Sequence, residues 1–444
     1  MPLDSHEAFS RLPGQPSPVA LLEEQGVSRL PDLVPVRYGR MLASSFSYYR
    51  GAALPMAQDL STTPVTGLTV QACGDAHLSN FGVFGSPERR LLFDLNDFDE
   101  TLPGPWEWDV KRLAASLEVA ARENGFSRKQ RAAVVRAAVS GYRRAMREFA
   151  GMTNLEVWYA HADVARAREA FESRLTKRQR KRWTAGEAKA RTSDSMQSLR
   201  KLTEVVDGRR RIIADPPLIV PARDLAAAQE VTLGEWLVPL IAKYRGTLDP
   251  NRRHLLGQYE LADAARKAVG VGSVGTRCWI VLLLGRHDTD PLFLQVKEAE
   301  ESVLSRFAGA SKYANQGQRV VAGQRLMQAS SDIFLGWQRI ETGLDGRGRD
   351  FYVRQLRDWK FSLDIEAMVP RGMGLYGELC GWTLARAHAR SGDRIAIAAY
   401  LGGSDAFDQA ITAFASAYAD QNEIDHQALL GAIASGRITA QQDM

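Results

Sequence analysis

Cysteine is scarce in this 444-residue sequence, and its three residues lie far apart, at Cys73, Cys278 and Cys380. No C-x-x-C pair occurs, so the pattern excludes a disulfide framework and a zinc knuckle. Histidine is also scarce, with seven residues, which argues against a site built from several histidine ligands. The cysteine usage predicts a protein of a reducing compartment, the cytoplasm.

Long apolar segments are missing as well. Runs such as Trp279–Leu284 fall far short of the roughly 20 residues that a membrane-spanning helix needs. The first residues carry Asp4 and Glu7 and no apolar core, so we expect no signal peptide there. The sequence therefore predicts a protein without a membrane partner.

The excess of positive over negative charge is small. The chain has 57 Lys and Arg against 52 Asp and Glu, a net charge of +5, and 45% hydrophobic residues, so wholesale disorder is excluded. A basic run at Arg174–Arg182 lacks interleaved aromatic residues. It is interpreted as a solvated helix face, and we expect no nucleic-acid partner.

The first half of the chain contains three segments with different residue patterns. Residues 1–35 are rich in proline and polar residues and are interpreted as an arm with at most one short helix. Apolar runs separated by turn signals then predict three strands, at Thr69–Cys73, Phe81–Phe84 and Arg90–Leu95. Helical periodicity follows Pro105, and a second helix is predicted from its N-cap at Ser127.

A second region begins near Tyr259. Its predicted strands are Cys278–Leu284, Leu292–Val296, Asp332–Trp337 and Phe351–Leu356. Its predicted helices are Leu261–Val269, Glu300–Tyr313 and the chain from Gly374 onwards, where Ser404 is the expected N-cap of a buried stripe of Phe407, Ile411, Phe414 and Tyr418.

Five oxygen-bearing side chains follow the first strands: Asp75, Asn80, Asp94, Asp97 and Asp99. Such a cluster repels itself unless a cation or a basic group compensates it. Carboxylate and amide oxygens suit Mg²⁺ or Mn²⁺ better than zinc. The alternative is a turn rich in Asp and Asn that caps a hairpin, but five such residues exceed what a turn requires.

The D-x-x-x-x-N spacing of Asp75 and Asn80 is that of the kinase catalytic loop. With the following strand it resembles the H-G-D-x-x-x-x-N … I-D-F-D pattern of the aminoglycoside and choline kinase branch. The resemblance implies that Asp75 acts as base and that Asn80 holds a metal. Counting through the hairpin places Asp94 at the metal-binding Asp position of that branch, whereas alignment by the local Asp-Phe-Asp string places Asp97 there.

The next helix adds to this resemblance. Gly104-Pro-Trp-Glu-Trp-Asp-Val-Lys-Arg-Leu113 is similar to the helix whose Asp supports the catalytic loop in that branch, and Asp109 matches that Asp. Cys73 departs from the pattern, because the branch usually has His two residues before the catalytic Asp. This departure weakens the usual bracing of the loop without changing its chemistry.

A phosphate-binding motif appears only far downstream. Gly270, Gly272 and Gly275 form a G-x-G-x-x-G, and Lys297 ends a later predicted strand. Backbone N–H groups of small residues can approach phosphate, and a strand lysine supplies a fixed charge. A plain loop or a Rossmann fingerprint are the alternatives, but a predicted helix before the motif and a strand after it favour the kinase-type loop.

The catalytic loop thus precedes the glycine loop, which is a circular permutation of the ordinary kinase order. Leu384-Ala-Arg-Ala-His-Ala389 resembles the helix that precedes the catalytic loop in small-molecule kinases. His388 on that helix is interpreted as a core histidine.

Four segments carry a wider resemblance: Tyr49-Arg-Gly-Ala-Ala, Cys73-Gly-Asp-Ala-His-Leu-Ser-Asn-Phe-Gly, Phe93-Asp-Leu-Asn-Asp-Phe-Asp-Glu and Tyr352-Val-Arg-Gln-Leu. They are similar to domain-of-unknown-function family 2252, bacterial proteins placed near the kinase-like superfamily. The resemblance spans roughly residues 30–430 and implies a kinase-like fold without defining a substrate.

The sequence therefore predicts an α+β, two-lobed, circularly permuted kinase-like fold. The expected parts are an arm (1–35), a large helical lobe (36–260), a small β-rich lobe (261–372) and C-terminal helices completing the large lobe (373–444). The expected function is transfer of phosphate, or of AMP, from Mg–ATP to an unknown hydroxyl. A catalytically silent nucleotide-binding regulator and a metal-dependent phosphoesterase are the alternatives.

Overall fold

The structure is a computed structural model that describes residues 1–174, 176–227, 233–343, 345–356 and 358–441. It combines long helices with small antiparallel sheets, which confirms the predicted α+β class. No helix in these ranges is both long and apolar enough to cross a membrane.

A short 3-10 helix (Leu3–His6) opens the chain, and four α-helices follow: α1 (Pro18–Gly26), α2 (Val34–Leu42), α3 (Ser45–Gly51) and α4 (Ala53–Ser61). The Ser17 hydroxyl caps α1 by accepting a hydrogen bond from the N–H of Ala20, and Pro18 occupies the first helical position. Val19 and Leu22 of α1 pack in one apolar cluster with Leu429 near the end of the chain. The N-terminal residues therefore contribute to the core.

Two strand pairs and two long helices follow: β1 (Thr69–Ala72), β2 (Phe81–Gly85), β3 (Leu91–Leu95), β4 (Leu102–Pro105), α5 (Trp106–Glu123) and α6 (Arg128–Ala150). β1 pairs with β4, and β2 forms the predicted hairpin with β3. Ser127 caps α6, as predicted, in a reciprocal pair with Gln130.

The middle of the chain consists of short elements: α7 (Asn154–Tyr159), β5 (Ala162–Asp163), α8 (Val164–Phe171), α9 (Lys177–Arg191), α10 (Ser195–Leu202), β6 (Thr203–Val206), β7 (Arg209–Ile212), β8 (Ile219–Pro221), α11 (Ala222–Ala227), α12 (Leu233–Arg245) and α13 (Pro250–Leu256). The basic run coincides with the start of α9, where Lys177, Arg178 and Lys181 are exposed. Leu175 of that run lies outside the described residues.

The largest sheet has six antiparallel strands in the order β12-β13-β11-β10-β9-β8. It adds β9 (Glu260–Lys267), β10 (Cys278–Leu284), β11 (Pro291–Glu298), β12 (Gly336–Ile340) and β13 (Arg349–Gln355). Lys297 on β11 pairs with Cys278 on one side and with Tyr352 on the other. This register places Lys297 in the middle of the sheet.

The predicted helix at Leu261–Val269 is wrong, because these residues form strand β9. Ala264 and Ala265 favour a helix by propensity. In the sheet both are fully buried, one in the apolar cluster on each face, and pairing with β10 overrides the local preference. The glycine motif therefore connects two strands.

The predicted helix at Glu300–Tyr313 is also wrong in extent. Only α14 (Ser305–Ala308) is helical there, and α15 (Gln316–Met327) starts three residues after that prediction ends. Asn315 sets the start of α15, since its side chain accepts the N–H of Gln318. The strand predicted at Asp332–Trp337 begins at Gly336, because Asp332 accepts the N–H of Phe334 and forms a turn.

Three helices close the chain: α16 (Pro370–Ala389), α17 (Arg394–Leu401) and α18 (Ala406–Ala434). The predicted stripe of α18 is buried, with Phe407, Ile411 and Phe414 fully enclosed. Ser404 is not its N-cap; Asp405 is, and no side chain caps this end. α16 packs along α6, which places Arg386 and His388 in the core beneath the candidate site.

Candidate active site in an acidic cleft

One cleft collects most of the predicted site residues. It spans about 890 Å³, a volume that includes the part open to solvent. Its lining includes Asp75, Asn80, Asp97, Asp99, Gly270 and Gly272. The acidic stretch that follows the first hairpin and the glycine motif thus meet across 174 residues of chain, through Ser273 and Asp99.

Asp109 holds the loop that follows β1. Its two carboxylate oxygens accept the N–H groups of Cys73 (2.6 Å) and Gly74 (2.9 Å). His388 lies 3.1 Å from the same carboxylate and hydrogen-bonds Tyr142 on its other side. Gly74 has φ +81°, and a Cβ there would clash with the carbonyl of Glu100. The loop conformation therefore requires glycine and a buried carboxylate beneath it.

Asp75 faces the cleft, but one of its oxygens is already bound. Oδ1 accepts from Nε (2.8 Å) and a terminal nitrogen (2.6 Å) of Arg112, while Oδ2 lies 3.7 Å from His77. Burial raises the pKa of Asp75, and Arg112 opposes that rise. Asn80 donates from Nδ2 to the Asp75 carbonyl at 2.6 Å, which leaves its Oδ1 as the atom it can offer a cation.

Asp94 and Asp97 have different surroundings. Asp94 is buried, does not line the cleft, and accepts from Arg386 at 2.6 Å and from the N–H of Ala329 at 3.1 Å. Asp97 lies at the cleft, and its Oδ2 is 3.5 Å from Lys297 Nζ. The structure therefore brings Asp97 to the other site residues and leaves Asp94 in the core.

Lys297 is not among the residues that line the cleft, but two carboxylates that it contacts are. Its side chain is 3% exposed and pairs with both Asp97 and Asp99. Burial lowers the pKa of Lys297, but the two carboxylates outweigh it and the net shift is upward. Burial alone would raise the pKa of Asp97, yet Lys297 with Arg354 brings it below its usual range. The pair is thus charged at neutral pH.

The glycine loop approaches the same carboxylates. Ser273 Oγ lies 3.4 Å from Asp99 Oδ2. Gly270 and Gly275 adopt φ of +68° and +91°, so glycine is needed at both. Gly275 lies outside the cleft lining, where its carbonyl accepts the N–H of Leu30 at 2.8 Å. The loop is consequently anchored at Gly275 and open to the cleft at Gly272.

The sequence alone did not indicate several residues that hold the site residues in place. Tyr352 donates to Asp99 at 2.7 Å, and Arg319 on α15 donates to the carbonyls of Asp99 and Thr101. Arg112 could have been found, because it lies three residues after Asp109 on the same helix face. Arg319 carries no such local signal, since its contact with Thr101 spans 218 residues. The family-like segment at Tyr352 gives no indication of its partner Asp99, which is 253 residues away.

Glu100 was also missed as a cleft residue. Burial raises its pKa to about 7, although the N–H of Val303 and the charge of Arg319 oppose the rise. Val303 donates to its Oε2 at 2.7 Å. Among the described residues, no group of three or more His, Cys, Asp or Glu side chains is arranged to hold a metal ion. A cation here would need ligands from a bound molecule as well as from Asn80 and Asp97.

Fold and site together define a mixed α+β protein in which an aspartate loop and a glycine loop share one cleft, and a buried sheet lysine pairs with aspartates of that cleft. The family model "Uncharacterized protein conserved in bacteria (DUF2252)" matches residues 29–432, and the chain belongs to this family. No curated protein and no solved structure matches the chain.

Proposed function

We propose that this protein is a Mg²⁺- and ATP-dependent phosphotransferase with a circularly permuted kinase-like fold. The observation that carries the proposal is the 3.5 Å contact between the buried Lys297 and Asp97, a residue of the cleft that Asp75 and Asn80 also line. Kinases place a strand lysine, a metal-binding Asp and a catalytic Asp around the same phosphates. The small lobe would be residues 261–372, and the rest of the chain from residue 36 would form the large lobe.

The sheet supports this interpretation. The glycine loop connects the first two strands of the β9–β10–β11 meander, and Lys297 lies on the third. Protein kinases likewise carry their lysine on the third strand, after a glycine-rich loop. A Rossmann site would need a helix directly after the glycines, whereas strand β10 follows them here.

Each residue then has a defined task. Lys297 and the N–H groups around Gly272 bind the phosphates, while Asn80 and Asp97 would hold Mg²⁺. When bound, the cation neutralises charge on the transferred group. Asp75 orients the acceptor hydroxyl through Oδ2, since Arg112 holds Oδ1 and fixes the carboxylate plane. The same residues would also serve transfer of AMP.

Two departures from the kinase pattern favour a second candidate, a silent nucleotide-binding regulator. Kinase lysines pair with a Glu on the helix after their strand, but α15 contains no acidic residue. Arg112 also neutralises Asp75, the proposed base. A two-metal phosphoesterase is less well supported, because the described residues contain no group of three acidic, Cys or His side chains suited to metal binding.

A thermal-stability panel tests the proposal. ATP with Mg²⁺ should raise the melting temperature, with about 2.7 kcal/mol of stabilisation at a hundredfold excess over Kd, and either alone should do much less. Asp75→Asn should keep this shift and lose ATP consumption, whereas the exposed Asp288→Asn should keep both.

The outcomes separate the candidates. Equal stabilisation by ATP with and without Mg²⁺ rejects the metal-dependent site. A Mg²⁺-dependent shift without turnover in the wild type, across a panel of acceptor hydroxyls, identifies the silent regulator.

A further inference from the structure

Three arginines of the N-terminal region line the cleft: Arg29 between α1 and α2, Arg37 on α2 and Arg50 on α3. Arg37 is fully buried, and Arg29 is 8% exposed. None of the three forms an ion pair with a carboxylate of the described residues, whereas the buried Arg112 and Arg386 each have an aspartate partner. Burial of cationic side chains without a counter-ion is uncommon in proteins.

Their existing hydrogen bonds go only to neutral oxygens. Arg29 donates to the carbonyl of Val274 in the glycine loop, and Arg37 donates to the carbonyl of Gly51 (3.1 Å) and to Gln25 (3.0 Å). The Nε atoms of all three arginines are buried and have no acceptor in the described part of the chain. Each guanidinium therefore retains a donor for a further ligand.

The acidic residues of the cleft only partly balance this charge. Glu100 and Glu300 counter the lowering of the Arg29 pKa by burial, and Asp75 does so for Arg50, without forming ion pairs with them. Lys297, in contrast, is matched by Asp97 and Asp99. The three guanidinium groups thus lie in the same cleft as Asp75 without a direct ion-pair partner among the described residues.

We propose that Arg29, Arg37 and Arg50 bind a phosphate or carboxylate group of the acceptor substrate. This inference rests on the proposed phosphotransferase function and names its substrate class as an anionic alcohol. Guanidinium groups bind such anions with paired N–H donors, and the glycine loop with Lys297 remains available to the nucleotide. A neutral or cationic acceptor would leave the three charges uncompensated.

Calorimetric titration of the full-length protein with inorganic phosphate tests the subsite. Arg50→Gln is the variant of choice, because Arg50 is only partly buried and its loss should preserve the fold. Phosphate should bind the wild type, and Arg50→Gln should weaken it roughly tenfold or more. Arg50→Lys should fall between them, since it keeps the charge and loses the paired donors. Arg136→Gln, on an exposed face of α6, is the matched control and should not differ from the wild type.

A second titration with AMP-PNP and Mg²⁺ identifies the group that the arginines bind. Phosphate should still bind when the nucleotide analogue is saturating. Displacement of phosphate by AMP-PNP assigns the arginines to the nucleotide and overturns the inference, as does phosphate binding that Arg50→Gln leaves unchanged. Failure of AMP-PNP to bind overturns the proposed function, whereas AMP-PNP binding without phosphate binding overturns this inference alone.

Discussion

Asp94 and Asp97 lie three residues apart in one acidic stretch, yet they belong to different parts of the molecule. Asp94 is 2% exposed and paired with Arg386, which is itself buried. Asp97 has 32% of its side chain exposed, lies at the cleft and shares Lys297 with Asp99. Both residues are acids near the end of strand β3. The difference between them arises from their tertiary neighbours, since Arg386 pairs with Asp94 and the cleft lies beside Asp97.

This contrast separates a structural carboxylate from a functional one. A buried pair such as Asp94–Arg386 satisfies two charges that would otherwise destabilise the core. Asp97 instead has a partly exposed carboxylate at the cleft, within reach of a cation bound there. The following predictions test this division, from the largest expected effect to the smallest.

Asp94→Asn should reduce the free energy of unfolding by about 3–5 kcal/mol, because it leaves the Arg386 charge buried without a counter-ion. Urea unfolding followed by circular dichroism measures the loss. The double variant Asp94→Leu with Arg386→Met should recover most of it, since an apolar pair removes both charges. A double variant as unstable as Asp94→Asn would show that the charge pair is not the cause.

Lys111 is a charged residue buried without a pairing group: its Nζ has no hydrogen-bond partner among the described residues. Burial lowers its pKa to about 8, against a weak opposing effect of Glu107. Lys111→Met should therefore raise the free energy of unfolding by about 3 kcal/mol at pH 7.

The direction in which stability changes with pH follows from the pKa of Lys111 in the folded and unfolded states. Below pH 8 the lysine is charged in both states, and the folded state bears the full cost of burying it. Between pH 8 and 10.5 only the unfolded state stays protonated, so wild-type stability should rise with pH relative to Lys111→Met. A constant difference between the two proteins across this range would contradict the assignment.

The sequence patterns correctly predicted the structural features that depend on residues close to one another in sequence. The β2–β3 hairpin, the capping of α6 by Ser127 and the buried stripe of α18 depend on residues within a few positions of one another. Strand β9 was missed because its alanines favour a helix until β10 pairs with them.

The residue types of the candidate site could be predicted from the sequence, but the ion pairs that these residues form could not. The roles of Asp94 and Asp97 could not be separated, since Arg386 lies 292 residues from Asp94 in sequence. The proposed arginine subsite begins in a segment interpreted as an arm, and tertiary packing brings its residues to the cleft.

Asp97→Asn should change the free energy of unfolding by less than about 1 kcal/mol, because Lys297 keeps Asp99 as its partner. Urea unfolding beside Asp94→Asn checks this difference directly. A loss comparable to that of Asp94→Asn would mean that Asp97 is also a structural carboxylate.

Electron paramagnetic resonance of Mn²⁺ titrated with AMP-PNP measures the proposed site most directly, since Mn²⁺ substitutes for Mg²⁺ on oxygen ligands. The wild type and Asp288→Asn should bind the Mn²⁺–nucleotide complex equally well. Asp97→Asn should bind it roughly tenfold or more weakly, because it loses a charged ligand. Equal affinity in Asp97→Asn, or no bound complex in the wild type, would contradict a metal–nucleotide site at Asp97.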